Sequence, residues 1–125
     1  MRRIEFERVE LIDDDRAIVV LAGGAVVPAL RIWVGSREAA LVSIAATGRR
    51  SSRPLTHDLI QTLMHDFGLA LEWVLIAHGE DGLFVAELVV SGGGGRSRID
   101  CRPADAIALA LREGAPMFLA DEPAS

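Results

Sequence analysis

Two glycine-marked turns, Asp81-Gly82 and Gly92 to Gly95, punctuate three consecutive runs of strand composition: Leu71 to Ala77, Leu83 to Val90 and Arg96 to Cys101. Nothing else in the chain restricts its fold as strongly. Asp-Gly between two apolar runs is a strong short-range hairpin signal, because both residues tolerate the positive φ that a type I′ turn demands. The three runs therefore predict an antiparallel meander. A two-residue loop at Asp81-Gly82 pairs Glu80 with Leu83 and hence Ile76 with Glu87, and a four-residue loop over Gly92 to Gly95 sets Ser91 against Arg96 and Glu87 against Asp100. Phe84, Ala86, Leu88 and Val90 then share an apolar face with Ile99 and Cys101, while Glu87 and Asp100 meet on the other. Two carboxylates so placed repel unless a metal, a proton or an arginine stands between them, and Arg98 and Arg102 are the arginines at hand.

Upstream, Ile4 to Leu11 and Ala17 to Leu21 flank the turn Asp13-Asp14-Asp15 and predict a hairpin; Leu30 to Val34 predicts a third strand, broken by Gly35-Ser36. Ser36 has the side chain of a helix N-cap. The helix it opens carries Glu38 in its first turn, has Ala39, Leu41, Val42, Ile44 and Ala45 as apolar positions, and stops at Gly48. A basic loop, Arg49 to Arg53, leads to a second helix capped by Thr56, with Asp58 at its positive end and Gly68 at its close. Leu59, Ile60, Leu63, Met64 and Phe67 recur at three- and four-residue spacing, which predicts a core-facing amphipathic helix. After the meander, Ala104 to Arg112 predicts a third helix ended by Gly114, and Pro116 to Ala120 a last short strand. The expected fold class is α+β: a mixed, mainly antiparallel sheet with about three packed helices, in a single domain over residues 1–125 with a flexible tail from Asp121 to Ser125.

The long apolar run Ala17 to Val27 is interrupted by glycines and falls short of the ~20 residues that a membrane span needs. Acidic residues follow Met1-Arg2-Arg3-Ile4 before any signal-peptide core can develop, so a cytoplasmic protein is expected. Cys101, the single cysteine, has no disulfide partner in the chain and no His/Cys cluster around it, and is expected to fill a small buried apolar position. The net charge of −5 argues against a surface that attracts nucleic acid over its whole extent. Local basic patches remain possible where Arg49, Arg50 and Arg53, and again Arg96, Arg98 and Arg102, lie together. With half its residues hydrophobic, so small a chain is also expected to cover part of its surface by forming a homodimer or a higher homo-oligomer.

Two segments share a layout in which Arg-Pro precedes a helix with an aspartate in its first turn: Arg53-Pro54-Leu55-Thr56-His57-Asp58 and Arg102-Pro103-Ala104-Asp105. Proline suits a helix start, and free backbone N–H groups there can bind phosphate, with a nearby arginine supplying a bidentate grip. The same spacing also fits aspartates that only offset the helix dipole and pair with those arginines. His57 beside Asp58 has the residue types of a general base and its orienting carboxylate, but neighbours on a helix point about 100° apart, which leaves a plain surface histidine open as well. The run Ser91 to Gly95 lacks the Lys-Ser/Thr ending of a P-loop and reads as a turn.

The string Arg53-Pro54-Leu55-Thr56-His57-Asp58-Leu59, the later string Ile99-Asp100-Cys101-Arg102-Pro103-Ala104-Asp105-Ala106-Ile107-Ala108-Leu109-Ala110 and their spacing resemble the two signatures of the bifunctional nuclease family. Leu30-Arg31-Ile32-Trp33-Val34-Gly35 followed by Glu38-Ala39, and the segment Asp81 to Ala86, agree with it, and the resemblance runs from about Ile4 to Ala120. The chain departs from the family pattern at Ala104, commonly serine, and at Cys101, commonly alanine. The resemblance implies a nuclease that hydrolyses phosphodiester bonds of DNA and RNA with little sequence preference. It implies one site in which Asp58, Asp100 and Asp105 hold a divalent metal such as Mg2+ and His57 positions or deprotonates water, and the strand register adds Glu87, opposite Asp100, to the candidate metal ligands. Arg53, Thr56 and Arg102 would hold the phosphate. The competing expectation, favoured by the acidic charge, is a non-enzymatic oligomeric module that binds a nucleotide, a metabolite or a protein.

Overall fold

The structure is a computed structural model that describes residues 1–24, 28–48 and 54–124. Within them the chain runs β1 (Arg2–Leu11), β2 (Arg16–Ala22), β3 (Leu30–Gly35), α1 (Ser36–Thr47), α2 (Thr56–Asp66), β4 (Ala70–His78), β5 (Phe84–Gly92), β6 (Gly95–Cys101), α3 (Pro103–Glu113) and β7 (Met117–Leu119). Among the described residues these strands form one seven-stranded sheet in the order β3-β2-β1-β7-β4-β5-β6. Every pairing is antiparallel except that of β4 with β7, so the expected α+β class with a mixed, mainly antiparallel sheet and three helices is what the chain adopts. Short β7 sits at the centre and stitches the β1–β3 half to the β4–β6 half.

The core lies between one face of the sheet and the helices. Ile4, Val19, Leu21, Ile32, Val74, Ile76, Ala86, Leu88 and Val90 meet Val42 and Ala45 of α1, Met64 of α2 and the buried side of α3. In α3, Ala104 and every residue from Ala106 to Ala110 are buried. A helix apolar on all sides belongs inside, and its alternating alanines let the sheet and α1 approach closely. Full burial of Ile107 and Leu109 contributes about 1.5–3 kcal/mol each relative to exposure. Over β1–β3 the opposite face of the sheet carries charge. Arg31 and Arg8 both donate to Glu10, and those hydrogen bonds hold its carboxyl down at about 2.

Four local expectations give way. Asp81-Gly82 does not form a two-residue turn. Glu80–Gly82 is a short 3-10 turn, closed by the Gly79 N–H donating to the Leu83 carbonyl, so five residues connect β4 to β5. The register therefore slips by one, and Glu87 faces Leu75 rather than Ile76. The glycine turn is tighter than expected, with Gly92 paired to Gly95 around Gly93 and Gly94, both at the positive φ of a type I′ turn. Its register is the expected one: Ser91 faces Arg96, and Glu87 faces Asp100.

The third correction concerns α2. Leu59, Leu63 and Phe67 point outward, Phe67 being 75% exposed, while the helix buries His57 and Met64. Ile60 and Met64 do pack on the core, but polar residues rather than Leu59, Leu63 and Phe67 fill the rest of the inner side, because α3 offers charged partners there. Arg112 donates to Asp58 and Gln61, and Glu113 accepts from Gln61 and bonds His65. Nor do the expected caps form. Ser36 is the first residue of α1 and its hydroxyl donates to the Asp14 carbonyl, while α2 starts after Leu55, whose N–H is taken by Asp58. No helix among the described residues is long and apolar enough to cross a membrane.

Candidate functional site

β6 ends at Cys101, and Arg102 turns the chain into α3 as its N-cap, with Pro103 and Asp105 in the first turn. α2 begins nearby and places His57 in its own first turn. The two helix starts meet through a hydrogen bond of 3.0 Å between His57 Nε2 and Asp105 Oδ1. Arg102 returns to the same carboxylate, with Nε 2.9 Å from Oδ2 and Nη2 3.3 Å from Oδ1. Its remaining nitrogen, Nη1, lies 3.5 Å from Glu38 Oε1 in the first turn of α1. Four side chains from three helix starts thus form one chain of contacts: His57, Asp105, Arg102, Glu38.

Exposure rises from His57 to Arg102 and falls again at Glu38. His57 is 2% exposed, the Asp105 and Glu38 side chains 26% and 29%, and that of Arg102 64%. His57 is thus neither the surface histidine its position allowed nor a group that solvent can reach. Burial pushes the Asp105 carboxyl up, but hydrogen bonds from Arg102 and His57 outweigh it and hold the group below its ordinary value. Asp105 is then an anion at neutral pH, so Nε2 of His57 carries the proton that faces it. Nδ1 is a buried polar atom with no hydrogen-bond partner among the described residues. The N-cap, Arg102, makes no side-chain capping bond, which leaves the first N–H groups of α3 without a side-chain acceptor from that position.

The other nominated residues fall elsewhere. Asp58 turns to Arg112 at the far end of α3, at 2.6 Å, and to the N–H of Leu55. It braces α2 against α3. Thr56 is exposed at the first position of α2, and Arg53 lies outside the described residues, as do Arg49 and Arg50. Glu87 and Asp100 face one another across β5 and β6 on the side of the sheet away from the helices. There they line, with Arg98, a cavity of about 610 Å³ walled by Ala120 and residues 122–124. Arg98 donates to Glu87 at 2.8 Å, so an arginine supplies the counter-charge to that carboxylate. Arg96 lies over the Trp73 ring, 4.8 Å from its centroid, so the three arginines near β6 have three different partners and do not make one basic patch. Burial and then the carboxylates of Asp105 and Asp100 push the Cys101 thiol up to about 11, which makes it a poor nucleophile at neutral pH.

The carboxylates nominated for magnesium therefore lie in three places. Among the described residues no three His, Cys, Asp or Glu side chains stand together as a metal site, so the residues present do not fit the ion. Glu38, in contrast, is a member of the cluster that the sequence does not nominate. Its signal was the layout it shares with Asp58 and Asp105, an acid in the first turn of a helix.

Comparison with known proteins agrees with the two signatures. The model of the bifunctional nuclease domain matches residues 19–123. Uncharacterized protein MT1877 of Mycobacterium tuberculosis (strain CDC 1551 / Oshkosh) is 38% identical over 90 residues, which is 72% of this chain and 53% of the relative. Uncharacterized protein Rv1829 of strain H37Rv matches to the same extent. The chain spans about half the length of the curated relatives it matches. The family match covers both helix starts that join at His57 and Asp105, and the chain belongs to the bifunctional nuclease domain family.

Proposed function

We propose that this domain hydrolyses phosphodiester bonds of DNA and RNA with little sequence preference, and that the reaction takes place at the three helix starts. One observation carries the reading: an exposed arginine shares a carboxylate with a buried histidine at the uncapped start of α3. A phosphodiester offers Arg102 the same two-oxygen geometry that Asp105 now gives it, and the first N–H groups of α3 add positive potential. When Arg102 turns to phosphate, the carboxylate of Asp105 keeps its bond from His57 and loses its arginine partner. Its affinity for a proton rises, and it accepts one from the attacking water as the water oxygen bonds to phosphorus and the P–O bond to the leaving sugar oxygen breaks, that oxygen taking its proton from solvent. Arg102 then offsets the charge that grows on the phosphoryl oxygens. His57 acts as a positioning residue: it holds Asp105 from behind and does not reach the substrate. Glu38 holds the free side of the guanidinium. No step runs through a metal ion.

Because the grip is on phosphate, DNA and RNA are equivalent substrates, and the net charge of −5 keeps binding weak. Arg102→Ala should lower kcat/KM by roughly 100-fold on single-stranded DNA and RNA alike, the scale of losing one charge-stabilising donor. The log–log salt dependence of binding should have a slope of about −0.7 to −1.4, as for one or two phosphate contacts. Steady-state cleavage of end-labelled oligonucleotides, run in magnesium and in chelator, measures both. Equal cleavage by the wild-type and Arg102→Ala preparations would remove the activity from this cluster. The competing reading, a module whose ion pairs only tie the helices together, predicts no cleavage under any condition.

A further inference from the structure

β6 is an edge strand, and all its residues except Cys101 are exposed. The two-residue turn at Gly93-Gly94 closes on the pair Gly92 and Gly95, and strict alternation from there turns the backbone N–H and C=O groups of Arg96, Arg98 and Asp100 away from β5. An open row of such groups is a template for another strand, which proteins blunt with like charges on the edge. β6 instead carries both signs. Arg98 and Asp100 flank Ile99, which is 46% exposed, and Asp100 has no hydrogen bond or ion pair among the described residues. Nothing in the proposed reaction uses them.

We infer that β6 pairs antiparallel with β6 of a second copy of this chain, centred on Ile99. The register follows from charge. Centred on Ile99, Arg98 of each copy faces Asp100 of the other in two opposite-charge pairs, and the two Ile99 side chains meet on the helix side of the joined sheet. Centred on Arg98, the pairing also gives Asp100 a partner in Arg96, but it sets Arg98 against itself and leaves Ile99 facing Ser97. Centred on Ser97, it sets Arg96 against Arg98 twice and leaves Asp100 unmatched. The Ile99 register gives Asp100 its partner and covers Ile99. It also joins two seven-stranded sheets into one. The other edge strand, β3, carries a single charge, Arg31, and so has no such self-complementarity.

The inference is independent of the reaction proposed at the helix starts. It is tested on the full chain by sedimentation equilibrium and by cysteine cross-linking. Wild-type protein should sediment at twice the chain mass. Asp100→Arg sets two arginines face to face and should raise the dissociation constant roughly tenfold or more, with the fold preserved because Glu87 stands opposite the new arginine. The double variant Arg98→Asp/Asp100→Arg restores opposite-charge pairs and should restore the dimer. In a Cys101→Ser background, Ile99→Cys should cross-link on oxidation, since a non-hydrogen-bonded antiparallel pair brings the two Cα atoms to about 4.5 Å. A wild-type monomer at about 100 μM would mean that the charges only blunt the edge. A dimer indifferent to Asp100→Arg, or one that Ile99→Cys fails to cross-link, would equally overturn the inference.

Discussion

Asp105→Asn should lower phosphodiester hydrolysis by about 10²–10⁴-fold, the usual contribution of a general base, while the protein stays folded. The substitution keeps the shape of the side chain and an oxygen that can accept from His57 or Arg102. It removes the charge and the site that takes the proton from water. Stability offers an independent readout. The Asp105 carboxyl is pushed up by burial but held below its ordinary value of 3.8 by Arg102 and His57. A carboxyl lowered in the folded state contributes stability that is present above its unfolded value and lost as pH falls through its folded one. Denaturant melts at several pH values should therefore separate wild type from Asp105→Asn near neutrality and bring them together at strongly acidic pH. Undiminished cleavage by the variant would assign the activity to another group or to a contaminant.

Ile107→Ala should cost about 2–5 kcal/mol, a large share of the roughly 5–15 kcal/mol that holds a domain of this size. Ile107 has no exposed surface and lies in α3, which packs on the sheet and on α1, so the lost methyl groups leave a cavity that neighbours on several sides would have to close. The midpoint of thermal unfolding should fall by on the order of 10 °C. Leu63→Ala is the control. By spacing it ranks with the core, yet Leu63 is 50% exposed, and its truncation should change stability by no more than about 0.5 kcal/mol. Equal losses at the two positions would contradict the orientation of α2.

That contrast marks where the fold was legible in the sequence. α3 reads correctly because Ala106 to Ala110 offers no polar residue to place outward, and β6 reads correctly because the glycine turn fixes its register against β5. α2 reads only in part: Ile60 and Met64 face the core, but its apolar residues cover two sides, and the distant Arg112 and Glu113 decide that Leu59, Leu63 and Phe67 turn outward. The Asp81-Gly82 turn reads wrongly because Gly79 and Leu83 close a longer loop around it. At the site, the shared Arg-Pro layout points to His57, Arg102 and Asp105. It cannot foretell that Asp58 pairs with the far end of α3, whereas the glycine-turn register already sets Glu87 against Asp100 on the face away from the core, apart from the helix starts. Glu38 arrives at Arg102 only through the packing of α1 on α3.

The most direct test of the helix-start assignment is to locate a bound phosphodiester. Backbone amide shifts should be followed by NMR while a non-hydrolysable phosphorothioate-linked thymidine oligonucleotide is added to the wild-type chain. The largest changes should fall at residues 36–38, 56–58 and 102–106, with the Arg102 side-chain Nε–H among the first to move. Changes centred instead on residues 85–87 and 98–100, along the cavity on the other face of the sheet, would contradict the assignment and return Glu87 and Asp100 to the site.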